Sequence, residues 1–307
     1  MDHAYELAEL TPEREADVAA LCRMALDLPS DSIEADQIVD RLRSPGPVPG
    51  SAGERRITGW VALLGSAVVG VVLGSTGYGD PSVGHVDLIA VHPEHRRHGI
   101  GRALLARAEA SLAEFGATSI ALVGNAPVYA WPGIDVRYTA AVCLAEASGY
   151  ARADIAWNMT ADLTPGSPAL APTTEAEARL ASAGVAVRRA VPADVPGLAE
   201  FAAAEFGPGW GAEVAASEGI HYAVRDGAVL GFACWGSSRP SYFGPMGTAA
   251  AARGLGVGGV LLRRCLREQH AAGLSSAQIG WVGPVPFYST NSGARIERVF
   301  FLYRRSV

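Results

Sequence analysis

Cysteine is scarce in this sequence, and its few cysteines show no pattern of pairing. The 307 residues include four, and no two of them form a Cys-x-x-Cys motif. Four thiols spread over this length do not provide a disulfide framework. We therefore expect free thiols, buried in apolar helices or strands, in a protein from a reducing compartment. The four are Cys22, Cys143, Cys234 and Cys265.

Long apolar runs are absent as well. No stretch approaches the roughly 20 apolar residues that a membrane-spanning helix needs. The first residues, Met1 to Ala4, contain no basic region followed by an apolar one, so they do not resemble a secretory signal. We therefore expect a cytoplasmic protein.

Acidic residues outnumber basic residues in this sequence. The sequence has 25 Lys and Arg against 31 Asp and Glu, a formal net charge of -6. Binding to nucleic acid or to an anionic membrane needs a basic surface. The excess of acidic residues therefore argues against either as the main partner. The remaining composition, 49% hydrophobic and 18% charged, is that of a folded protein. The length is about twice that of a common domain, which predicts two domains.

A proline-rich segment divides the chain. Residues 163–183 contain three prolines and no strand-like alternation, so we expect an extended stretch followed by a helical turn or two. This segment is the predicted linker. The predicted domains on either side of it are residues 1–162 and 184–307.

The same order of elements is predicted on both sides of the linker. Each half begins with a helix that starts at a proline, Pro12 or Pro192. A β-hairpin, a third strand, a glycine-rich loop, a long amphipathic helix, a strand, a short helix and a last strand follow. The fold class is therefore α/β with a mixed sheet, present as two tandem domains. The first copy carries insertions near residues 43–53 and 125–137, and the second of these insertions is rich in aromatic side chains.

Both halves contain Arg-x-x-Gly-x-Gly between a strand and a helix, starting at Arg96 and at Arg253. Small residues let the loop N–H groups converge on an anion, and the helix N-terminus adds its dipole. The pattern predicts a pyrophosphate site. A single loop of this kind could be a turn that only needs glycine, but two copies at equivalent points of a repeat favour binding.

One competing motif is present in the second loop. Gly254 to Gly259 also satisfies Gly-x-Gly-x-x-Gly, the dinucleotide-binding pattern. That fold needs a strand leading directly into the first glycine and an acidic residue roughly 20 positions later. Residues 249–253 intervene here, and residues 274–279 contain no carboxylate. The dinucleotide interpretation therefore fails.

The two loops resemble motif A of the GNAT superfamily of acetyl-CoA-dependent N-acetyltransferases. The resemblance covers the chain apart from the linker, and it implies that the loop and helix bind the CoA pyrophosphate while the preceding strand pairs with the pantetheine arm. In the first half the implied residues are Ile89, Val91, Arg96, Arg97, His98, Gly99, Ile100, Gly101 and Arg102. In the second half they are Met246, Thr248, Arg253, Gly254, Leu255, Gly256, Val257, Gly258 and Gly259. Tandem copies look like mycothiol synthase, whereas the segments 131–135 and 281–288 look like bacterial tandem enzymes that acetylate amino sugars.

The resemblance also implies where the chemistry takes place. GNAT enzymes usually place a tyrosine on the short helix after the fifth strand, and this tyrosine protonates the departing thiolate. In the second copy Tyr288 stands at that point, whereas Ala145 stands there in the first. A tyrosine with a pKa near 10 stays protonated beside a thiol with a pKa near 8.5. We expect the second copy to be catalytic and the first to bind acetyl-CoA without turning it over; a core position for the Tyr288 ring is the alternative.

Neither a general base nor a metal site is evident from the sequence. Glu205, Glu213 and Glu218 could each act through water, and each also fits a solvated surface. Three histidines, at positions 92, 95 and 98, straddle a proline and the glycine loop, so they do not share a helix face. We expect no metal.

The acceptor site is expected between the domains, where aromatic rings could face a sugar and a carboxylate could hold an ammonium group. These features predict acetyl transfer to a small amine, with an amino sugar or an aminated natural product favoured, by a monomer or weak homodimer. A mycothiol-type synthase and a non-catalytic acyl-CoA sensor are the alternatives. The predicted acceptor residues are Trp131, Asp135, Tyr138, Trp210 and Trp281.

Because both halves retain the loop motif, we predict two acetyl-CoA sites per chain. Calorimetry on the intact protein should detect both. A bulky side chain at Gly101 should abolish one site, and a bulky side chain at Gly258 should abolish the other. A single site that is indifferent to the change at Gly101 would contradict the prediction.

Overall fold

The computed structural model of the chain describes residues 5–44, 46 and 55–307. The predicted insertion at 43–53 therefore lies largely outside the described residues. The chain divides into two compact units. Among the described residues, the first unit contains those up to Ala156 together with Phe300–Val307, and the second contains Trp157–Val299.

The helices and strands that the sequence predicts occur in the predicted order, with further short elements among them. From the first residue to the linker they are β1 (Glu6–Glu9), α1 (Glu15–Ala25), α2 (Pro29–Ser32), α3 (Ala35–Arg43), β2 (Ile57–Leu64), β3 (Ala67–Thr76), β4 (Val83–Val91), α4 (Ile100–Glu114), β5 (Ser119–Leu122), β6 (Ile134–Asp135), α5 (Thr139–Ala147) and β7 (Ala151–Asp162). The remaining elements are α6 (Thr174–Ser182), β8 (Ala186–Arg189), α7 (Val195–Phe206), α8 (Pro208–Ala215), β9 (Gly219–Arg225), β10 (Ala228–Trp235), β11 (Tyr242–Thr248), α9 (Val257–Ala271), β12 (Ser276–Ile279), α10 (Val285–Ser292) and β13 (Arg295–Ser306). Among the described residues, no helix is long and apolar enough to span a bilayer.

Each unit is built on a mixed sheet. In the first unit the strand order is β1-β2-β3-β4-β5-β13, and in the second it is β8-β9-β10-β11-β12-β7. Neighbouring strands are antiparallel except for one parallel pair in each unit, β4 with β5 and β11 with β12. The mixed sheet predicted for both copies is confirmed.

The long helix of each unit packs on its sheet through one apolar face. In α4 the buried residues recur at helical spacing, and Leu104, Leu105, Ala108 and Leu112 join a core with the strand residue Ile120. Helix α9 buries an equivalent face in the second core. Each helix begins after a glycine with positive φ, 82° in α4 and 84° in α9. That backbone conformation explains the glycine at this point of both motifs.

The parallel strands of each unit stay together for only a few residues. The β4–β5 pairing ends at His85↔Ala121, and β4 then continues to Val91. The β11–β12 pairing similarly covers only Tyr242 and Phe243, whereas β11 runs on to Thr248. In both units the strands therefore separate several residues before the glycine loop, which leaves an open strand edge.

The compact units differ from the predicted domains at the last strand of each half. Strand β7 pairs with β12 of the second unit, and β13 pairs with β5 of the first, with Tyr303 opposite Leu122. Alternation of apolar residues predicts that a segment is a strand, but it does not identify the strand with which that segment pairs. Any strand with a matching apolar pattern can pair with it in the antiparallel direction. The predicted domain 184–307 thus lacks a strand of the second unit and includes one of the first.

The predicted linker is also partly structured. Its second half forms α6, as the helical turns predicted there suggest. Leu163, Ala169 and Leu180 are buried in the core of the second unit. This segment therefore contributes to the packing of that unit as well as connecting the two halves.

Because β13 completes the first unit, Phe300 should be important for its stability. The ring is fully buried in a cluster with Ala121, Val123 and Leu302. We predict that Phe300→Ala lowers the free energy of unfolding of the first unit by about 3–5 kcal/mol, because it removes a large buried ring. Arg304→Ala on the same strand is the control; its side chain is exposed, so its effect should stay within about 0.5 kcal/mol. Denaturant unfolding measures both, and equal losses would contradict the assignment.

Candidate functional site

The separated strands of the first unit open onto a cavity of about 950 Å³. Its walls are the free edge of β4 from Val86 to Val91, the loop and first turn of α4, residues 122–135 and the face of α5. All of these residues belong to the first unit. The volume lies at the upper end of the range for small-molecule and cofactor sites.

The cavity begins at the first glycine loop. Every predicted first-copy cofactor residue lines it except His98, which is exposed in the loop. A Cβ added to Gly101 would lie 3.4 Å from Leu144 Cδ2 and 3.8 Å from Val91 Cγ2. The first turn of α4 is therefore close to both walls, and a large side chain at Gly101 would project into the space between them.

The two arginines of this loop differ in their surroundings. The Arg96 guanidinium donates to the Val91 carbonyl at 3.2 Å and to the Ala25 carbonyl at 2.8 Å, and it pairs with Asp27 at 3.1 Å. Arg97 is exposed, adopts a φ of +68° and lines the same cavity. Arg96 thus fastens the loop to the end of α1, whereas Arg97 presents its charge to the cavity.

Three of the five predicted acceptor residues also line this cavity. Trp131, Asp135 and Tyr138 all line it. Asp135 is 2% exposed, and its carboxylate accepts from the Arg137 guanidinium at 3.0 and 2.8 Å. The Tyr138 hydroxyl donates to Asp31 at 2.9 Å. The Asp135 carboxylate is thus buried in a pair with Arg137, and the Tyr138 hydroxyl is bonded to Asp31.

The other two predicted acceptor residues belong to the second unit. Trp210 stacks on Phe206 with ring centroids 5.0 Å apart, and it packs edge-on against Phe232. Trp281 is 39% exposed and has a φ of +48°. Trp210 thus contributes to the packing of the second unit, and the acceptor role predicted for both residues stays a prediction.

The second glycine loop has different surroundings from the first. A Cβ on Gly258 would lie 3.2 Å from Phe287 Cζ and 3.6 Å from Met246 Cε. Phe287 therefore holds the place that Leu144 holds in the first unit. Its larger ring, together with Met246, covers the start of α9.

Tyr288 follows Phe287 and corresponds to Ala145. Its ring is 8% exposed and packs edge-on against Phe243 and Phe287, with centroids 6.1 and 5.0 Å apart. Burial raises the pKa of Tyr288 to about 12. The hydroxyl stays protonated at neutral pH, as an acid requires, while the ring is part of the apolar core. The catalytic role of Tyr288 stays a prediction.

One expectation about cysteine is wrong. Cys22, Cys234 and Cys265 are buried, but Cys143 is exposed. Cys143 lies on α5, and it lines the cavity of the first unit. Its apolar neighbours in sequence suggested burial, but the helix turns this position towards the cavity.

A carboxylate that the sequence analysis overlooked also lines the cavity. Asp87 lies in the apolar strand β4, and its side chain is 3% exposed. Burial raises the pKa of Asp87, while Arg55 and His85 partly oppose that shift. The signal in the sequence is a single acidic residue within an apolar strand, and in the second copy the offset between the glycine loops places Gly244 at this position.

Of the remaining candidates, His95 lines the cavity. Glu205, Glu213 and Glu218 belong to the α7–α8 region of the second unit, where Glu205 and Glu218 are exposed. His92 and His95 contact each other, with ring centroids 5.3 Å apart. Within the described residues, no group of three or more His, Cys, Asp or Glu side chains is arranged to hold a metal ion.

The contrast between the two loop arginines leads to a paired prediction. Arg97→Ala should weaken acetyl-CoA binding in the first unit by about 1–3 kcal/mol, because a charge-assisted contact is lost, and should leave the melting temperature unchanged. Arg96→Ala should lower the melting temperature, because it removes the bonds to Ala25 and Asp27. Calorimetry and thermal melts on both variants measure this. Identical behaviour of the two variants would contradict the division of roles.

Comparison with known proteins agrees with this architecture. Residues 31–131 match the model of the acetyltransferase (GNAT) family. No curated protein sequence matches the chain.

Solved structures share the fold over the full length. A GCN5-related glucosamine N-acetyltransferase region of a fungal multi-domain GH3 β-N-acetylglucosaminidase superposes with a TM-score of 0.71 and 16% identity, covering 99% of this chain. This chain spans 38% of the length of that protein. A tandem GNAT protein from the clavulanic acid biosynthesis pathway gives a TM-score of 0.71 and 20% identity, covering 99% of this chain and 98% of that one.

A GCN5-related N-acetyltransferase from Sphaerobacter thermophilus gives a TM-score of 0.65 and 16% identity, covering 100% of this chain and 96% of that one. Identities this low establish the fold alone. The family match covers residues 31–131 of the first unit, and the whole chain shares the fold of a tandem GNAT protein.

Proposed function

We propose that this protein transfers the acetyl group of acetyl-CoA to the primary amine of a small molecule, and that the cavity of the first unit is where it does so. The observation that carries the proposal is the continuity of that cavity, which runs from the glycine loop along the free edge of β4 to the wall formed by Trp131, Asp135 and Tyr138. Acetyl transfer has two substrates, so the site must hold acetyl-CoA at one end and the amine at the other.

The first end suits the CoA moiety. The N-terminus of α4 and the side chains of Arg97 and Arg102 favour a pyrophosphate, because backbone N–H groups, the helix dipole and two positive charges act together. Beyond the loop, the unpaired backbone of β4 offers N–H and C=O groups to the amides of a pantetheine arm. The apolar side chains of Leu105 and Leu144 face the same space.

The second end suits an amine that carries a polar ring. An aromatic face such as Trp131 packs on a sugar ring, and the polar residues Asp135 and Tyr138 line the same cavity. An amino sugar or an aminated natural product therefore remains the favoured acceptor. The structural similarity to a region described as a glucosamine N-acetyltransferase supports the same choice.

This proposal places the chemistry in a different unit from the one that the sequence favours. The sequence points to Tyr288 in the second unit, whereas the cavity in the first unit and the position of Phe287 and Met246 beside Gly258 in the second favour the first unit. In our proposal the second unit keeps its phosphate loop for binding rather than turnover. The cytoplasmic location and the monomeric or weakly dimeric state stay predictions.

Steady-state release of CoA, measured against glucosamine, aminoglycosides and amino acids, tests the function. We expect turnover with at least one amine, and silence against all of them would favour an acyl-CoA sensor instead. Turnover only with an aminated thiol precursor would favour the mycothiol-type alternative.

Two substitutions then locate the chemistry. Asp135→Asn should raise the KM for the amine and leave acetyl-CoA affinity unchanged, because it alters only the acceptor wall. Tyr288→Phe should keep kcat near that of the wild type. A fall in kcat of about 10²–10⁴-fold in Tyr288→Phe, with acetyl-CoA still bound, would instead assign general acid catalysis to the second unit.

A further inference from the structure

The second unit has a cavity of its own, of about 470 Å³. Its walls come from the start of α6, from β8 and β9, and from the second half of α9, and all of them belong to the second unit. No residue of the glycine loop lines it. The side chains that line it are all polar or charged, so the cavity suits a charged ligand. Its volume lies within the range of small-molecule sites.

Three arginines line this cavity, and two glutamates partly offset their charge. Arg264 donates to both oxygens of Glu177, from Nε at 2.9 Å and from Nη2 at 2.5 Å. Arg189 donates to Glu268 from Nε at 2.8 Å and from Nη2 at 2.5 Å. Arg267 is the third arginine. Three positive charges against two negative ones leave the cavity with an excess of one positive charge.

Arg267 carries the charge that is not offset. Within the described part of the chain it forms no ion pair, and its one hydrogen bond runs from Nη2 to the Thr173 hydroxyl at 2.7 Å. A guanidinium has five N–H donors, so four of them stay available at Arg267. This planar group matches the oxygens of a phosphate or a carboxylate.

His221 forms part of the β9 side of the cavity. Its ring is 7% exposed, and Nε2 lies 2.7 Å from the Glu268 carboxylate. Burial lowers the pKa of His221, although the bond to Glu268 opposes the shift. The ring is therefore neutral at neutral pH and adds no charge to the cavity.

The start of α6 lies beside the arginines and has no side-chain cap. The Thr173 hydroxyl donates to Glu177 at 2.5 Å instead of accepting from an N–H group of the helix. Thr174, the first residue of α6, lines the cavity. The free N–H groups and the dipole at the start of a helix favour an anion, which adds to the effect of the arginines.

The equivalent place in the first unit contains an indole ring. The hairpin turns and the glycine loops align three pairs of positions: Trp60 with His221, Arg107 with Arg264, and Ser111 with Glu268. Trp60 Nε1 donates to the Ser111 hydroxyl at 3.0 Å, and the Arg107 guanidinium lies 4.1 Å from the centre of the indole ring. Ala110 stands at the position of Arg267. The shared fold therefore does not itself require the charged cluster of the second unit.

We propose that the cavity of the second unit binds a phosphate group, either as free phosphate or as the monoester of a small molecule, with Arg267 as its main contact. Arg189 and Arg264 each use two of their five N–H donors on a carboxylate, so three remain on each for the ligand. Several terminal oxygens and a double negative charge suit a phosphate to this set better than a carboxylate. The volume leaves room for the organic part of a monoester.

The first test is titration calorimetry on the intact protein with inorganic phosphate, ribose 5-phosphate and ribose. Arg267→Met keeps the length of the side chain but removes its charge and donors, so it should weaken binding of the phosphates about 10–100-fold. Arg179→Met is the matched control, because Arg179 is exposed on α6 and does not line the cavity. It should bind as the wild type does. No binding by the wild type, or equal losses in the two variants, would overturn the proposal.

The three probes also separate the possible sources of the phosphate group. Tighter binding of ribose 5-phosphate than of inorganic phosphate would identify a monoester site, and equal affinity would identify a site for the free ion. Ribose should not bind. Ribose that binds as tightly as ribose 5-phosphate would show that the phosphate is not what the cavity recognises, and would overturn the proposal.

Glu177→Gln tests the role of charge in the opposite direction, and it serves if Arg267→Met fails to fold. It removes a negative charge from the cavity and releases donors of Arg264, so phosphate affinity should rise. A cluster that only fastens α6 to α9 would respond with a lower melting temperature and an unchanged phosphate affinity. That result would contradict a binding role.

Phosphate also suits the glycine loops, so a local signal must show where it binds. The ring of His221, assigned by the loss of its signal in His221→Gln, can be followed by NMR. Phosphate should move this signal over the concentration range in which calorimetry detects binding, and Arg267→Met should remove the effect from that range. Binding that leaves the His221 signal in place would locate the phosphate elsewhere and refute the assignment. None of these measurements requires turnover, so they stand whether or not the protein releases CoA.

Discussion

The separation of β4 from β5 is the constraint on which the first unit depends. Pairing holds the two strands together up to His85 and Ala121, and the His85 ring, 2.9 Å from the Val123 carbonyl, joins them near the point where they part. Beyond that point the backbone of β4 is left without a strand on one side. Unpaired backbone groups in a protein interior need partners, so a gap of this kind is suited to a ligand with amide groups.

The two units share one arrangement of helices and strands but differ in the side chains beside the glycine loop. Both have a left-handed glycine before the long helix and an irregular third strand. The first unit has small or aliphatic side chains at the positions where the second has Phe287 and Tyr288. Substitutions at a few positions therefore change the side chains beside the glycine loop, while the order of helices and strands stays the same.

The position of Tyr288 on α10 is compatible with two different roles. By its place after the fifth strand, Tyr288 resembles a general acid, yet its ring is packed between Phe243 and Phe287. The same burial that raises its pKa also makes it a core residue. The chemical and the structural explanations of this tyrosine use the same observation, so only kinetics on a variant without the hydroxyl separates them.

Local patterns in the sequence determined the repeat, the order of elements and the position of both glycine loops, because amphipathic spacing and positive-φ glycines concern residues that are close along the chain. Only the tertiary structure decided that residues 300–307 complete the first unit and that the Asp87 carboxylate, within an apolar strand, is buried beside Ser75. These features arise from contacts between distant segments, such as Tyr303 with Leu122 and Asn125 with Ser75. A pattern along the chain indicates that a residue is buried or paired, but its partners depend on which segments the folded chain brings together.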